Sequence, residues 1–127
     1  MDTSAWIAYA NRGEQDHGSV SKALESWKGR LLTTNFVFDE AVTLLGYSFR
    51  HDVAVCMGQT LLDSSVVNLL RVSLEDERAA WELFRQREDK SYSFTDCTSF
   101  VLMRRLGIRE AVTLDEDFRR EGFQVRP

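Results

Sequence analysis

The chain has 127 residues, a formal net charge of −4, 43% hydrophobic residues and 28% charged ones, which is the size and mix of one soluble domain spanning 1–127 with a single respectable core. Its one proline is the last residue and it has seven glycines, which excludes collagenous and low-complexity architectures. No apolar run is long enough to cross a bilayer and no charged-then-apolar leader opens the chain, so a cytoplasmic protein with no membrane partner is expected.

Asp2, Thr3 and Ser4 precede an apolar helical pattern, and Asp2 or Thr3 is placed to cap it. Residues 14–28 read as a polar helix with Val20, Ala23, Leu24 and Trp27 on one side. Leu31-Leu32-Thr33 is a short strand. Thr34-Asn35 then caps an amphipathic helix in which Phe36, Val37, Glu40, Ala41, Leu44, Leu45 and Ser48 share a face. Glu40 lies within that apolar stripe, where a carboxylate costs several kcal/mol (~2–7) unless it is paired, hydrogen-bonded or bound to a cation. The bland alternative is a glutamate at the edge of the stripe with its head in water.

Residues 53–62 form a further helix, and the β-branched run 66–72 reads as a strand covered on both faces. Ser73 caps a helix over 74–88 with Leu74, Ala79, Ala80, Leu83 and Phe84 facing inward. Glu75, Asp76 and Glu77 in its first turn and Arg85 and Arg87 in its last complement the helix dipole. That acidic run is expected to be a solvated helix start. Ser93 followed by Asp96 is an acidic variant of the capping-box spacing, and Leu106-Gly107 ends the helix that begins there. A buried strand, 111–114, leads into Asp115, Glu116 and Asp117; a short helix stopped by Gly122 and a last strand from Phe123 to Arg126 complete the chain. Strands alternate with helices throughout, which predicts a parallel-sheet α/β sandwich.

Cys56 and Cys97 lie far apart without a Cys-x-x-Cys partner and are expected to be reduced, small and buried; His17 and His51 share no ligand spacing with them. The negative net charge speaks against nucleic acid, but eleven of the sixteen basic residues fall at or after Arg71. What the pattern offers chemically is carboxylates. Asp2, Glu40, Asp96 and Asp115 (or Asp117) each start or follow an element in a way that can bring them to one sheet edge, where open parallel sheets bind ligands. Acids crowded there repel, and protonation or a divalent cation must relieve them. Oxygen-only ligation suits Mg²⁺ or Mn²⁺, and with no histidine or lysine in these segments, and Cys97 read as a small buried residue, the chemistry left is metal-assisted hydrolysis of a phosphodiester.

The stretches Asp2-Thr3-Ser4-Ala5-Trp6-Ile7-Ala8, Thr34-Asn35 leading to Glu40 and Leu44-Leu45, Ser93-Phe94-Thr95-Asp96-Cys97, and Ala111-Val112-Thr113-Leu114-Asp115-Glu116-Asp117-Phe118 closing in Gly122-Phe123 resemble the PIN-domain family. Within it they are most similar to the VapC-type ribonuclease toxins of prokaryotic toxin–antitoxin pairs. The resemblance implies a three-layer sandwich with a central parallel sheet of four to five strands flanked by helices. It also implies Mg²⁺- or Mn²⁺-dependent endonucleolytic cleavage of single-stranded RNA, a homodimer, and a cognate antitoxin whose tail covers the acidic site. Asp2, Glu40, Asp96 and Asp115 correspond to the family's acidic quartet, with Asp117 the alternative fourth acid or an outer ligand. In that scheme Asp2 and Asp96 hold the principal ion, Glu40 and Asp115 complete it and orient the attacking water, and Ser4 supports Asp2. The chain departs from the pattern at its start, one residue before Asp2, so the first strand is expected to be truncated. A PIN-like domain that binds RNA or protein without cutting is the alternative this departure motivates. A phospho-receiver domain fits less well, because Lys90 is the last lysine and precedes the last two strands.

Overall fold

Three hydroxyl caps start helices where the sequence places them. Thr34 Oγ1 accepts the N–H of Val37 at 3.1 Å, Ser73 Oγ that of Asp76 at 3.1 Å, and Ser93 Oγ that of Asp96 at 3.0 Å. Gly107 and Gly122 follow two of the helices at φ +68° and +92°, a backbone region that strains any residue with a Cβ. In the computed structural model, which describes residues 1–127, these stops and starts give the order α1 (Thr3–Ala10), α2 (His17–Glu25), β1 (Leu31–Thr34), α3 (Asn35–Ser48), α4 (His51–Asp63), β2 (Val67–Leu70), α5 (Leu74–Gln86), α6 (Phe94–Arg105), β3 (Glu110–Val112), α7 (Asp117–Arg120) and β4 (Gln124–Arg126).

All strand pairing is parallel, but the four strands form two ladders, β1 with β2 and β3 with β4, instead of one unbroken sheet. Leu31 pairs with Val67 in the first and Glu110 with Gln124 in the second. Met1 and Asp2 lie between the ladders and touch both. The Met1 ammonium donates to the Leu32 carbonyl at 2.6 Å, Thr33 Oγ1 donates to the Met1 carbonyl at 3.1 Å, and the Asp2 N–H donates to the Val112 carbonyl at 3.0 Å. Met1 and Asp2 form no strand of their own, in keeping with the truncated first strand expected, and the sheet divides into two ladders here. A largely apolar cavity of about 170 Å³, lined among others by Met1, Leu31, Leu70 and Val112, fills the remaining space between the ladders.

Burial follows the same division. Trp6, Val37, Ala41, Leu45, Ala54, Met57 and Leu61 pack α1, α3 and α4 together on the β1–β2 side. Ala80, Leu83, Cys97, Phe100, Phe118 and Phe123 form the core on the β3–β4 side. There Phe100 meets Phe118 edge-on with centroids 4.9 Å apart and stacks on Phe123 at 5.8 Å. Ala5, Ala8, Val20, Leu31 and Val112 join the two.

Several expectations need correction. The helix read over 14–28 is shorter, because Glu14 to Asp16 are spent in a turn. Strand β2 is half-buried along its length, not covered on both faces. On α5 only Ala80 and Leu83 of the expected inward face are buried, while Leu74 and Phe84 are exposed. Asp76 is no solvated helix start: its side chain is 3% exposed and takes two bonds of 2.8 Å from Arg105 of α6. That bidentate pair holds the Asp76 carboxyl below its usual range despite the burial, and it ties α5 to α6. Cys97 is buried as expected but Cys56 is exposed. No helix is long and apolar enough to cross a membrane.

Candidate active site

Each acid is delivered by a local device that the sequence specifies. Asp96 is the third residue of α6, and its Oδ2 accepts the Ser93 N–H at 2.9 Å while Ser93 caps it in return. The capping box holds one carboxylate oxygen and orients the other. Asp115 follows β3, and its Oδ1 accepts the N–H of Asp117 at 2.9 Å, a local turn that brings both acids to the start of α7. Asp96, Asp115 and Asp117 each offer a carboxylate oxygen within 4.8 Å of the other two. Asp117 is also paired with Arg120 one turn along α7.

Asp2 is the N-cap of α1 and is 5% exposed. Its Oδ2 is crowded with donors: the Ser4 N–H at 3.3 Å, Ser4 Oγ at 3.0 Å and Thr113 Oγ1 at 3.1 Å. Its Oδ1 is buried and has no partner at all. A buried anionic oxygen without a hydrogen bond is costly (~1–3 kcal/mol, more for a charged group), and such an atom fits a cation ligand better than a structural cap.

The electrostatics agree. Burial pushes the Asp96 carboxyl up to about 6, and the charges of Asp2 and Asp115 add to the effect, while its bond from Ser93 opposes it. Asp115 is also raised, first by burial and then by Asp117 and Asp2, against the N–H bond from Asp117 and the nearby Arg120. Carboxylates from the chain start, α6 and the β3–α7 turn therefore act on one another, and Asp96 and Asp115 are less comfortable ionised than they would be in water. A divalent cation relieves that discomfort, and the donor set is all oxygen, which suits Mg²⁺ or Mn²⁺.

Glu40 stands apart from this group. It sits on α3, half-buried, with no hydrogen-bond or ion-pair partner; like Asp2 it is not among the acids within 4.8 Å of one another, and unlike Asp2 its charge does not reach Asp96 or Asp115. Its helix does approach the site: the ring of Phe36, one turn earlier, packs edge-on against Phe94 of α6 with centroids 5.7 Å apart. Two participants escaped the reading of the sequence. Thr113, read only as a strand residue, bonds to Asp2 and accepts the Asp115 N–H at 3.0 Å. The period-2 alternation at the end of β3 was the available signal, since it puts Thr113 and Asp115 on one side. Arg120 was counted only as part of the basic surplus, although it follows Asp117 at the helical spacing for an ion pair.

Comparisons with known proteins place the chain in a family. The family described as PIN domain matches residues 1–123. The 23S rRNA-specific endonuclease VapC20 of Mycobacterium tuberculosis is 38% identical over 128 residues, covering 100% of this chain and 97% of its own length. A VapC ribonuclease of Archaeoglobus fulgidus is 35% identical over 114 residues, 86% of this chain and 72% of its own. The crystal structure of M. tuberculosis VapC20, a sarcin-ricin loop cleaving toxin, superposes with a TM-score of 0.94 at 37% identity, covering 99% of this chain and 97% of that one. The chain belongs to the PIN-domain family, in its VapC-type branch.

Proposed function

We propose that this protein is an endoribonuclease that hydrolyses single-stranded RNA with the help of Mg²⁺ or Mn²⁺, and that it is the toxin of a toxin–antitoxin pair. The observation that carries the metal is the Asp2 Oδ1, buried without a partner beside carboxyls whose ionisation is disfavoured. Asp2 and Asp96 are the principal ligands in this reading, with Asp115 completing the set and Glu40 reaching it from α3, directly or through water. Asp117 is an outer acid, held by Arg120. A divalent cation held by these oxygens supplies an acidified water and offsets charge on a phosphodiester. The residues themselves contribute position: the Ser93 capping box fixes Asp96, and the turn closed by the Asp117 N–H fixes Asp115. Glu40, half-buried and unpaired, is available to accept a proton from the attacking water.

The endonuclease and ribonuclease names of the relatives support RNA as the substrate, and the rRNA named for the 38% relative makes 23S rRNA the first one to try. A homodimer and a cognate antitoxin covering the acidic site belong to the same proposal. The test is cleavage of single-stranded RNA in Mg²⁺ or Mn²⁺ by wild type, Asp96→Asn and Glu40→Gln. Both variants should lose cleavage by at least about a hundredfold, Glu40→Gln as loss of a positioned proton acceptor and Asp96→Asn as loss of a charged ligand to the cation. Equal cleavage by all three proteins refutes the assignment.

A further inference from the structure

We propose that Thr113 is a positioning residue of this site, a two-ended strut that sets Asp2 and Asp115 in register and leaves one particular oxygen of Asp2 free for a ligand; the inference rests on the metal-site reading above. Thr113 is completely buried, and it sits just past the end of β3, pinned there by its N–H to the Arg126 carbonyl at 2.8 Å. Its hydroxyl has one hydrogen to give. Asp2 Oδ2 stands 3.1 Å away to receive it, and the lone pairs accept the Asp115 N–H at 3.0 Å. Ser4 does the same from the other side: Oγ donates to Asp2 Oδ2 at 3.0 Å and accepts the Leu114 N–H at 2.9 Å. The two hydroxyls stand 3.2 Å apart.

This small network has a direction. Every donor that reaches the Asp2 carboxylate lands on Oδ2, and none lands on Oδ1. A carboxylate held only by the short chain before α1 could rotate and share its donors between both oxygens. With Thr113 on one side and Ser4 on the other it cannot do so without losing bonds. The hydroxyl is held in this direction by the two bonds it makes, to Asp2 Oδ2 and from the Asp115 N–H. The same hydroxyl positions Asp115 through its backbone, so one atom governs the spacing of two acids that arrive from opposite ends of the chain.

The experiment compares Mn²⁺ binding by wild type, Thr113→Val and Thr113→Ser at pH 7.5, using calorimetry and the spin-resonance signal of free Mn²⁺. The valine variant keeps the shape and removes the hydroxyl, and its affinity should fall about ten- to a hundredfold, the usual effect of losing a partner that orients a ligand. The serine variant should stay within about threefold of wild type. Exchange of the Asp115 amide hydrogen should quicken in the valine variant and recover in the serine one. In RNA cleavage at saturating Mn²⁺ the valine variant should lower kcat and leave KM unchanged. Wild-type affinity in Thr113→Val, or equal weakness in Thr113→Ser, overturns the proposal. Absence of Mn²⁺ binding by wild type removes the metal-site reading instead. If Thr113→Val does not fold, Thr113→Ala removes the same hydroxyl with less strain; failure of both to fold, with the serine variant folded, makes Thr113 a folding determinant and also overturns the positioning role.

Discussion

Asp96→Asn should make the metal-free protein more stable at pH 7.5 while abolishing the chemistry assigned to it. Burial and the neighbouring charges of Asp2 and Asp115 lift the Asp96 carboxyl from its usual 3.8 to about 6. At about 1.4 kcal/mol for each pH unit of that rise, the ionised form destabilises the fold by ~3 kcal/mol. The sign follows from where the proton sits. Between about pH 4 and 6 the folded chain holds a proton on Asp96 that the unfolded chain has released, so stability falls as pH rises through that window, and above it the full cost remains. An amide removes the charge but gives a weaker partner to the Ser93 N–H, which costs ~1 kcal/mol of cap. The net gain of ~2 kcal/mol corresponds to a rise of roughly 7 °C in Tm for a chain of 127 residues. Differential scanning calorimetry in EDTA, at pH 7.5 and again at pH 4, provides the measurement. The gain should be present at the first pH and nearly absent at the second. A Tm at or below wild type at pH 7.5, or an equal gain at both pH values, would show that Asp96 is not crowded in the way described.

Mn²⁺ at about a hundred times its Kd should stabilise wild type by ~2.7 kcal/mol at pH 7.5, with a much smaller effect at pH 5, where Asp96 is protonated, and none in Asp96→Asn; thermal melts with and without EDTA read this. Asp115→Asn should cost more cleavage than Asp117→Asn, because Asp117 is already engaged by Arg120, and the ratio of the two single-turnover rates decides it. Glu121→Gln should lower the urea midpoint without changing Mn²⁺ affinity. Burial pushes the Glu121 carboxyl up, yet Arg87 and Arg104 outweigh it and hold the group at about 2. Its contribution is present above pH 4.5 and lost as pH falls toward 2. Both guanidiniums are partly in water, so the expected loss is ~2 kcal/mol.

Much of the architecture could be read because local rules and tertiary packing agree. The caps at Thr34, Ser73 and Ser93 and the stops at Gly107 and Gly122 set helix boundaries by chemistry that acts over three or four residues. The β3–α7 acids were legible for the same reason. What could not be read depends on distant partners. Asp76 looked like a dipole-complementing surface acid until Arg105, 29 residues away, turned it into a buried ion pair. Leu74 and Phe84 fit the helical period but lie on a face that nothing in the chain covers. The spacing of Thr113 from Asp115 was legible, but its bond to Asp2, 111 positions away, was not. The division of the sheet turns on the hydrogen bonds of Met1 and Asp2, which no periodicity describes.

The gap between the two ladders makes the acidic group a junction between two lobes. Asp96, Asp115 and Asp117 ride on the lobe built around Phe100 and Glu40 on the lobe built around Leu45, while Asp2 lies on the seam, its N–H bonded to the Val112 carbonyl on one side and the Met1 before it bonded to Leu32 on the other. A cation drawing on all of them would act as a rivet, so that its arrival should couple opening events that otherwise occur separately in each lobe. Amide exchange followed lobe by lobe would then register metal as a gain in cooperativity as well as in stability.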